Sequence, residues 1–189
     1  MSSEMVDVLI VGAGPVGLLA AAELARHGIR PKRIERAAQP SPYSKALGVH
    51  MRTMEILDGL GLLDDAKRRG HLVHAINAFS AGKRLFHLHL DIHESPTPYL
   101  LIIPQYETEQ MLAAHGASLG VTAERSLTLS GLTRDADSVT ASVTDAQGQT
   151  HTIQARWMIA ADGAHSTTRQ LLSIPYEGEV MDTVLDAIR

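Results

Sequence analysis

The sequence predicts an α/β fold with a Rossmann-like βαβ unit at its N-terminus, and three observations support this. An apolar run at residues 8–11 breaks into the glycine pattern GAGPVG at residues 12–17, and a helical segment rich in Leu and Ala follows. A second, shorter strand-like run at residues 32–35 ends in a glutamate. This order is the fingerprint of a unit that binds a dinucleotide: a strand, a glycine turn, a helix, and a second strand that ends in an acidic residue. We therefore expect the adenosine half of a dinucleotide at this corner.

Each residue of the glycine turn has a predicted role. Gly12 lets the strand turn sharply, Gly14 leaves no side chain between the backbone and a pyrophosphate, and Gly17 lets the helix pack close to the strand. Pro15 falls in the first helical turn, where its missing N–H is tolerated, and Val16 follows it. The N-terminus of this helix then presents free N–H groups and the positive end of its dipole to an anion.

The second strand supplies a candidate ligand for a ribose. Glu35 follows Gly12 at close to the offset of about 20 residues at which a carboxylate bonds the ribose hydroxyls. The alternative is a structural glycine turn with an unrelated surface glutamate. Lys32 and Arg33 are too polar for a buried central strand, so we expect this strand to be short or to lie near an edge of the sheet.

Beyond the first unit, helical and strand-like segments alternate along the chain. Met54, Leu57 and Leu60 recur at helical spacing, which predicts a buried helical face. The other periodic segments are strand-like at residues 75–79, 84–90, 99–103, 121–130, 139–143 and 150–159, and helical at residues 107–119. The last three strand-like runs predict a small β-meander whose final strand continues into the main sheet.

Composition limits the function classes. Of the 189 residues, 44% are hydrophobic and 20% charged, which is typical of a soluble globular protein. The net charge of −4 gives no reason to expect nucleic acid or an anionic membrane as a partner. The chain has no cysteine, which excludes disulfides and thiolate chemistry, and no apolar run long enough for a membrane helix. We expect a cytoplasmic protein.

No catalytic residue and no metal site are predicted. His87, His89 and His93 alternate along a strand and could share one face, but no nearby acid completes a set of metal ligands, so we interpret them as solvated. His165 follows an Asp-Gly turn and is interpreted as a surface or capping residue rather than a base. The absence of a nameable acid, base or nucleophile is typical of proteins in which a cofactor carries the chemistry.

Several separated stretches, all in the same order, give the chain a family resemblance. It resembles the N-terminal part of the single-component FAD-dependent aromatic hydroxylases, the flavoprotein monooxygenases of the para-hydroxybenzoate hydroxylase type. The stretches that carry the resemblance are GAGPVG at residues 12–17, IER at 34–36, SKALGVH at 44–50 with RTME at 52–55, PQ at 104–105 with Glu109, and ADGAHS at 161–166 with Arg169. The resemblance covers essentially the whole chain.

The resemblance implies specific contacts at the adenosine end of FAD. Glu35 bonds the ribose of the adenosine, and Arg36 lies beside the adenine. Leu127 falls where the family places a backbone contact to the adenine.

Other contacts are implied at the phosphate and flavin end. Lys45 stands where the family often has arginine, and its charge would face the phosphates or the ribityl chain. Gln105 contacts the flavin side of the cofactor. Asp162 belongs to the Asp-Gly motif associated with the pyrophosphate and with access of reduced nicotinamide. Asp162 can also be read as a helix cap, and the two roles are compatible.

Besides Lys45 and the polar residues Lys32 and Arg33, the chain departs from the family pattern at other points. Ala160 stands where glycine is usual before the Ala-Asp-Gly motif. The family also carries a later Gly-Asp motif that closes over the flavin, and none of the 15 glycines here is followed by aspartate.

The resemblance implies that the chain is the FAD-binding portion of an aromatic monooxygenase that uses NADH or NADPH. Such an enzyme inserts one oxygen atom into a phenolic or polyketide-type aromatic substrate through a flavin C4a-hydroperoxide. We expect an FAD-binding domain at residues 1–72 and 104–175, and parts of a β-rich substrate domain at residues 73–103 and 176–189.

Three alternatives stay open. The chain could be a truncated, catalytically incompetent FAD- or ADP-binding fragment that needs a C-terminal remainder or a complementary chain. It could belong to a related FAD-dependent epoxidase or halogenase. An NAD-dependent dehydrogenase would also suit Glu35, but it has no place for residues 45–55 or for the Asp162 turn.

Overall fold

The computed structural model describes residues 3–44, 46–90 and 96–178. The five helices of the described residues are α1 Pro15–Arg26, α2 Met51–Gly59, α3 Leu63–Arg69, α4 Gln105–Ser118 and α5 Thr167–Leu171. The strands are β1 Ser3–Val11, β2 Lys32–Glu35, β3 Gly48–Val49, β4 His71–Val73, β5 Ala75–Ser80, β6 Lys83–His89, β7 Leu100–Ile102, β8 Ala123–Arg125, β9 Thr128–Arg134, β10 Val139–Thr144 and β11 Thr150–Ala160. None of the described helices is long and apolar enough to cross a membrane.

A mixed six-stranded sheet organises the fold in the order β8-β2-β1-β11-β10-β9. Strands β8, β2, β1 and β11 run parallel, and β10 and β9 continue antiparallel from β11. β11 is 11 residues long. It pairs with β10 along its first half and with β1 along most of its length, so it joins the meander to the parallel strands. The predicted meander that continues into the main sheet is therefore confirmed.

The C-terminal part of the central strand β1, residues 8–11, is buried on both faces, as expected for a parallel strand covered on each side. Leu9 and Val11 pack against the meander, whereas Val8 and Ile10 pack against α1. A further cluster joins α1, α2, α3 and α4, and Met54, Leu57 and Leu60 are buried in it as the helical spacing predicts. The packed helices and the meander thus cover the C-terminal end of β1 from both sides.

Strand β2 is short and lies next to the edge strand β8, which confirms the prediction from its polar sequence. The Arg33 side chain is nevertheless 3% exposed, and its Nε and Nη1 atoms have no hydrogen-bond partner among the described residues. Burial lowers the pKa of the Arg33 guanidinium below its ordinary value, and the nearby positive charge of Arg125 lowers it further.

The segment predicted as one strand at residues 121–130 is two strands, so that prediction was wrong. Ser126 adopts the left-handed conformation with φ 59° and separates β8, the parallel edge strand, from β9. Leu127 then donates its backbone N–H to the Glu35 carbonyl oxygen at 3.0 Å. The break therefore brings the start of β9 to the end of β2.

Strands β5 and β6 form a separate two-stranded hairpin with two chemically different faces. The cross-strand pairs Ile76–Leu88 and Ala78–Phe86 lie on one face, because residues directly opposite each other share a face. Asn77 lies opposite His87, and His89 is two residues further along β6, so all three share the other face.

Candidate functional site

The end of β1 is closed so tightly that only glycine fits at the first position of the turn. Gly12 has φ 110°, and a Cβ there would lie 2.2 Å from the Ala161 carbonyl oxygen. Backbone hydrogen bonds of 2.8 Å, from Gly12 N to the Ile34 oxygen and from Ala161 N to the Val11 oxygen, fix this geometry. The ends of β1, β2 and β11 therefore converge on one point.

The other two glycines of the turn differ in their surroundings. A Cβ on Gly17 would lie 2.2 Å from the Gly12 carbonyl oxygen, so α1 sits directly on the turn. A Cβ on Gly14 would meet no atom of the described part of the chain within 4 Å. Protein packing therefore requires glycine at position 17, whereas at position 14 the turn borders open space.

That space is a cleft of about 420 Å³ at the carboxyl ends of the parallel strands. Open α/β sheets bind ligands at this edge. The predicted cofactor-binding residues that line the cleft are Gly12, Gly14, Pro15, Val16, Glu35, Arg36, Gln105, Leu127 and Asp162. Gly17 lies beneath the turn rather than on the cleft wall, and Lys45 lies outside the described residues.

Glu35 is held in the cleft by backbone donors on both sides. Its Oε2 accepts the Ala13 N–H at 2.8 Å and its Oε1 accepts the Ala37 N–H at 2.8 Å. A carboxylate oxygen can accept more than one hydrogen bond, so each oxygen keeps capacity for a ligand hydroxyl. The carboxylate is therefore preorganised to accept hydrogen bonds from a pair of neighbouring hydroxyls.

The N-terminus of α1 is suited to an anion. Among the described residues, no side chain caps it, and no acidic residue lies in its first turn. The first N–H groups of a helix lack intrahelical partners, and the helix dipole places partial positive charge beside them. Together with the open approach at Gly14 and the carboxylate of Glu35, this end of the cleft fits a ligand that carries both a diphosphate and a ribose diol.

Asp162 closes the opposite side of the cleft and holds α5. Its Oδ1 accepts the Ser166 hydroxyl at 2.6 Å, and its Oδ2 accepts the backbone N–H and the hydroxyl of Thr168 at 2.9 and 3.0 Å. Burial alone raises the pKa of Asp162, but these hydrogen bonds outweigh burial and hold the pKa below its ordinary value. The N-cap residue of α5 is Ser166, so Asp162 supports the cap rather than being the cap itself.

Gln105 begins α4 at the cleft wall. Its backbone N–H donates to the Ser44 hydroxyl at 2.9 Å, which ties the loop after β2 to this helix. Its side-chain Nε2 donates to Glu109 Oε1 at 2.7 Å, and both side chains line the cleft. The amide of Gln105 is therefore oriented by a neighbour one helical turn away.

The sequence prediction missed Arg125 among the residues of the cleft. Arg125 is the last residue of β8 and pairs with Glu35 in the parallel register, so its side chain borders the cleft at the same end. It also lines a more apolar hollow of about 490 Å³ between α1, α4 and the loop after β2. That hollow adjoins the cleft through Ala13, Pro40, Ser41, Glu109 and Arg125, but the convergent polar groups lie in the cleft.

Comparison with known proteins supports the same interpretation. The chain is 39% identical over 176 residues to a rifampicin monooxygenase of Streptomyces venezuelae, covering 93% of this chain and 35% of that protein. Its fold matches an anhydrotetracycline hydroxylase from Streptomyces rimosus with a TM-score of 0.83 at 37% identity, covering 93% of this chain and 35% of that one. The flavin-dependent monooxygenase PieE, solved with FAD and substrate, also gives a TM-score of 0.83 at 28% identity, over 93% of this chain and 33% of its own.

The chain thus spans about a third of the length of these relatives. The family model for the FAD binding domain matches residues 5–188, which is nearly the whole chain. Its relatives are flavin-dependent monooxygenases, and the matched part is their FAD-binding portion. The chain is therefore a member of the FAD-binding-domain family of flavin-dependent aromatic and polyketide monooxygenases.

Proposed function

We propose that the cleft binds the adenosine diphosphate half of FAD, and that the chain is the cofactor-binding portion of an NAD(P)H-dependent aromatic monooxygenase. The observation that carries this proposal is the open space over Gly14 between the uncapped N-terminus of α1 and the anchored carboxylate of Glu35. The substrate is a phenolic or polycyclic aromatic compound. Support for that class comes from the relatives, whose names specify rifampicin and anhydrotetracycline as substrates.

Each predicted residue has a role in this proposal. Glu35 accepts the two ribose hydroxyls, and Arg36 and Leu127 flank the adenine. The turn and the start of α1 take the pyrophosphate through Gly12, Gly14, Pro15, Val16 and Gly17. Gln105 contacts the flavin side of the cofactor, and the charge of Lys45 faces the phosphates or the ribityl chain. Asp162 positions the Gly163 turn against the phosphates.

When bound, FAD supplies the redox chemistry, with NADH or NADPH as the reductant. The described residues of the chain bind and orient the cofactor, and none is assigned a role as acid, base or nucleophile. The domain division at residues 1–72 and 104–175 against 73–103 and 176–189 belongs to the same proposal, as does a C-terminal remainder or complementary chain that completes the substrate site. We also propose a cytoplasmic location for this protein.

The proposal is tested by measuring FAD content and substrate-dependent NAD(P)H oxidation in the protein that contains this chain. We expect one FAD per chain. In Glu35→Gln, one of the two carboxylate oxygens is replaced by an NH2 group, which cannot accept a hydrogen bond from a backbone N–H or a ribose hydroxyl. The affinity for FAD should therefore fall about tenfold or more. The matched control is Glu124→Gln on the adjacent strand, where the carboxylate pairs with Lys32 outside the cleft.

Two results would contradict the proposal. One is a purified protein that takes up neither FAD nor ADP. The other is an equal loss of FAD affinity in Glu35→Gln and Glu124→Gln, because the effect would then not depend on the cleft.

A further inference from the structure

The first residue of α4, Gln105, is fixed through both its backbone and its side chain. Its backbone N–H donates to the Ser44 hydroxyl, which donates in turn to the Ala46 carbonyl oxygen at 2.7 Å. Its side-chain Nε2 lies 2.7 Å from Glu109 Oε1. Residues four apart on a helix lie on the same face, so Glu109 reaches the Gln105 amide while both side chains line the cleft.

The contact with Glu109 determines which end of the Gln105 amide a ligand meets. A carboxylate only accepts hydrogen bonds, so the end of the amide that points to Glu109 is the NH2 group. The carbonyl oxygen Oε1 is then the end left for a ligand, and among the described residues no group donates to it. A carbonyl oxygen accepts a hydrogen bond from a hydroxyl but has no proton to donate to a phosphate.

Glu109 itself is an unfavourable neighbour for an anionic ligand. Its half-buried carboxylate lines both the cleft and the adjoining hollow. Within the part of the chain that the structure describes, its only polar contact is the one with Gln105, and no cation pairs with it. Like charges repel, so an unpaired carboxylate opposes the binding of a diphosphate. The contact with Gln105 therefore points to a role that Glu109 exerts through that amide.

On the basis of the proposed function, we propose that Glu109 is a positioning residue that makes Gln105 a hydrogen-bond acceptor for the ribityl chain of FAD. The ribityl chain follows the diphosphate along the cofactor and carries hydroxyl groups, which can donate to Gln105 Oε1. Without Glu109, the amide is free to turn its NH2 group into the cleft. A donor in that position no longer selects for a hydroxyl that donates.

The first test compares the affinities for FAD and for ADP, which lacks the ribityl chain, in the protein that contains this chain. In Glu109→Ala the affinity for FAD should fall about three- to tenfold, as for the loss of one hydrogen bond. The affinity for ADP should not fall, because ADP does not reach Gln105. Glu107→Ala is the matched control, since Glu107 lies on the same helix but pairs with Arg69 at 2.8 Å outside the cleft. Fluorescence titration with FAD and calorimetry with ADP measure the two affinities.

An exchange of the two side chains separates the orientation of the amide from a merely structural role. In Gln105→Glu two carboxylates face each other, so the affinity for FAD should fall by about tenfold or more. In the double variant Gln105→Glu with Glu109→Gln, the new amide donates to one oxygen of the new carboxylate, and the other oxygen faces the cleft as an acceptor. The affinity for FAD should therefore return to within about threefold of that of the unaltered protein.

A double variant that binds FAD no better than Gln105→Glu would overturn the role of Glu109, as would an equal loss of FAD affinity in Glu107→Ala. A parallel loss of ADP affinity in Glu109→Ala would overturn it too, because the effect would then not depend on the ribityl chain. If the unaltered protein bound neither FAD nor ADP, the proposed function would fail together with this role. If it bound FAD and Glu109→Ala bound FAD equally well, the role of Glu109 alone would fail.

Discussion

Gly14 and Gly17 belong to the same turn, but an added methyl group would meet different surroundings at each. At Gly17 it would enter the carbonyl oxygen of Gly12, whereas at Gly14 it would project into the cleft. Gly17 is therefore a packing requirement of the fold. Gly14 keeps the cleft open to the close approach that a diphosphate needs.

We expect Gly17→Ala to lower the free energy of unfolding by about 2–3 kcal/mol, because a Cβ at 2.2 Å from a backbone oxygen forces the turn apart. Gly14→Ala should change that free energy by less than about 1 kcal/mol, since Gly14 has an ordinary extended backbone, and should weaken FAD binding. Urea unfolding without ligand and an FAD fluorescence titration measure the two effects. Gly178→Ala, at another open glycine, is the control.

A loss of stability in Gly14→Ala as large as that in Gly17→Ala would contradict the open geometry at position 14. If Gly14→Ala left the FAD affinity unchanged, the cleft beside Gly14 would not be the place where FAD binds. Either result is distinguishable from misfolding by the far-UV circular dichroism of the variant.

The sequence could predict most residues of the cleft, but not all of them. The turn and Glu35 follow from local spacing, because a βαβ unit brings them together within one stretch of chain. Arg125 belongs to a strand of three residues, too short for any periodicity, and its pairing with Glu35 depends on the tertiary fold. No local pattern marks such a residue.

At the scale of elements, α5 depends on Asp162 for its position. A helix of five residues is not stable alone, because the free-energy cost of nucleating a helix exceeds the stabilisation from so few hydrogen bonds. Asp162 and Ser166 satisfy the N–H groups of Thr168 and Arg169. One carboxylate and one hydroxyl therefore tie the start of the helix to the end of β11, and the helix also packs against β9.

We expect Asp162→Asn to lower the free energy of unfolding by about 1 kcal/mol at pH 7, as for loss of a helix cap. The native pKa of Asp162 lies below its ordinary value, so its contribution is complete above the pKa of the unfolded chain and is lost as pH falls through the native pKa. The difference between variant and wild type should therefore shrink below about pH 4. Urea unfolding across this pH range measures it, with the exposed Asp64→Asn as control. A difference that stays constant into acid would contradict the assignment.

Element boundaries were predictable where a segment is long and periodic. The helix after the glycine turn and the strands β10 and β11 lie where their patterns place them. Strands β3 and β4 escaped prediction because their two and three residues are defined only by pairing with β7. The break at Ser126 escaped because the left-handed conformation is adopted there by serine, without the glycine that usually signals it.

At the scale of the whole molecule, the cleft joins segments from distant parts of the sequence. Its walls come from the glycine turn, the ends of β2 and β8, the start of α4 and the Asp162 turn. A ligand that contacts all of these binds only the folded chain. Binding therefore stabilises the entire sheet rather than one local element.

We expect ADP or FAD at one hundred times its dissociation constant to raise the free energy of unfolding by about 2.7 kcal/mol. Thermal unfolding with and without each nucleotide measures the shift. ADP reports the adenosine end alone, and FAD tests the full cleft. If FAD raised the midpoint of thermal unfolding but ADP left it unchanged, the proposal that Glu35 binds the adenosine end of FAD would be contradicted.

Parallel pairing between β1 and β11 sets an order of events during protein synthesis. Ser3 pairs with Thr152 and Val11 with Ala160, so one edge of β1 stays unpaired until the ribosome has made β11. At about 5–20 residues per second, the ribosome needs roughly 7 to 30 seconds to deliver that partner. Until then an apolar edge is open on the nascent chain, and the speed of translation governs how long it is exposed to aggregation.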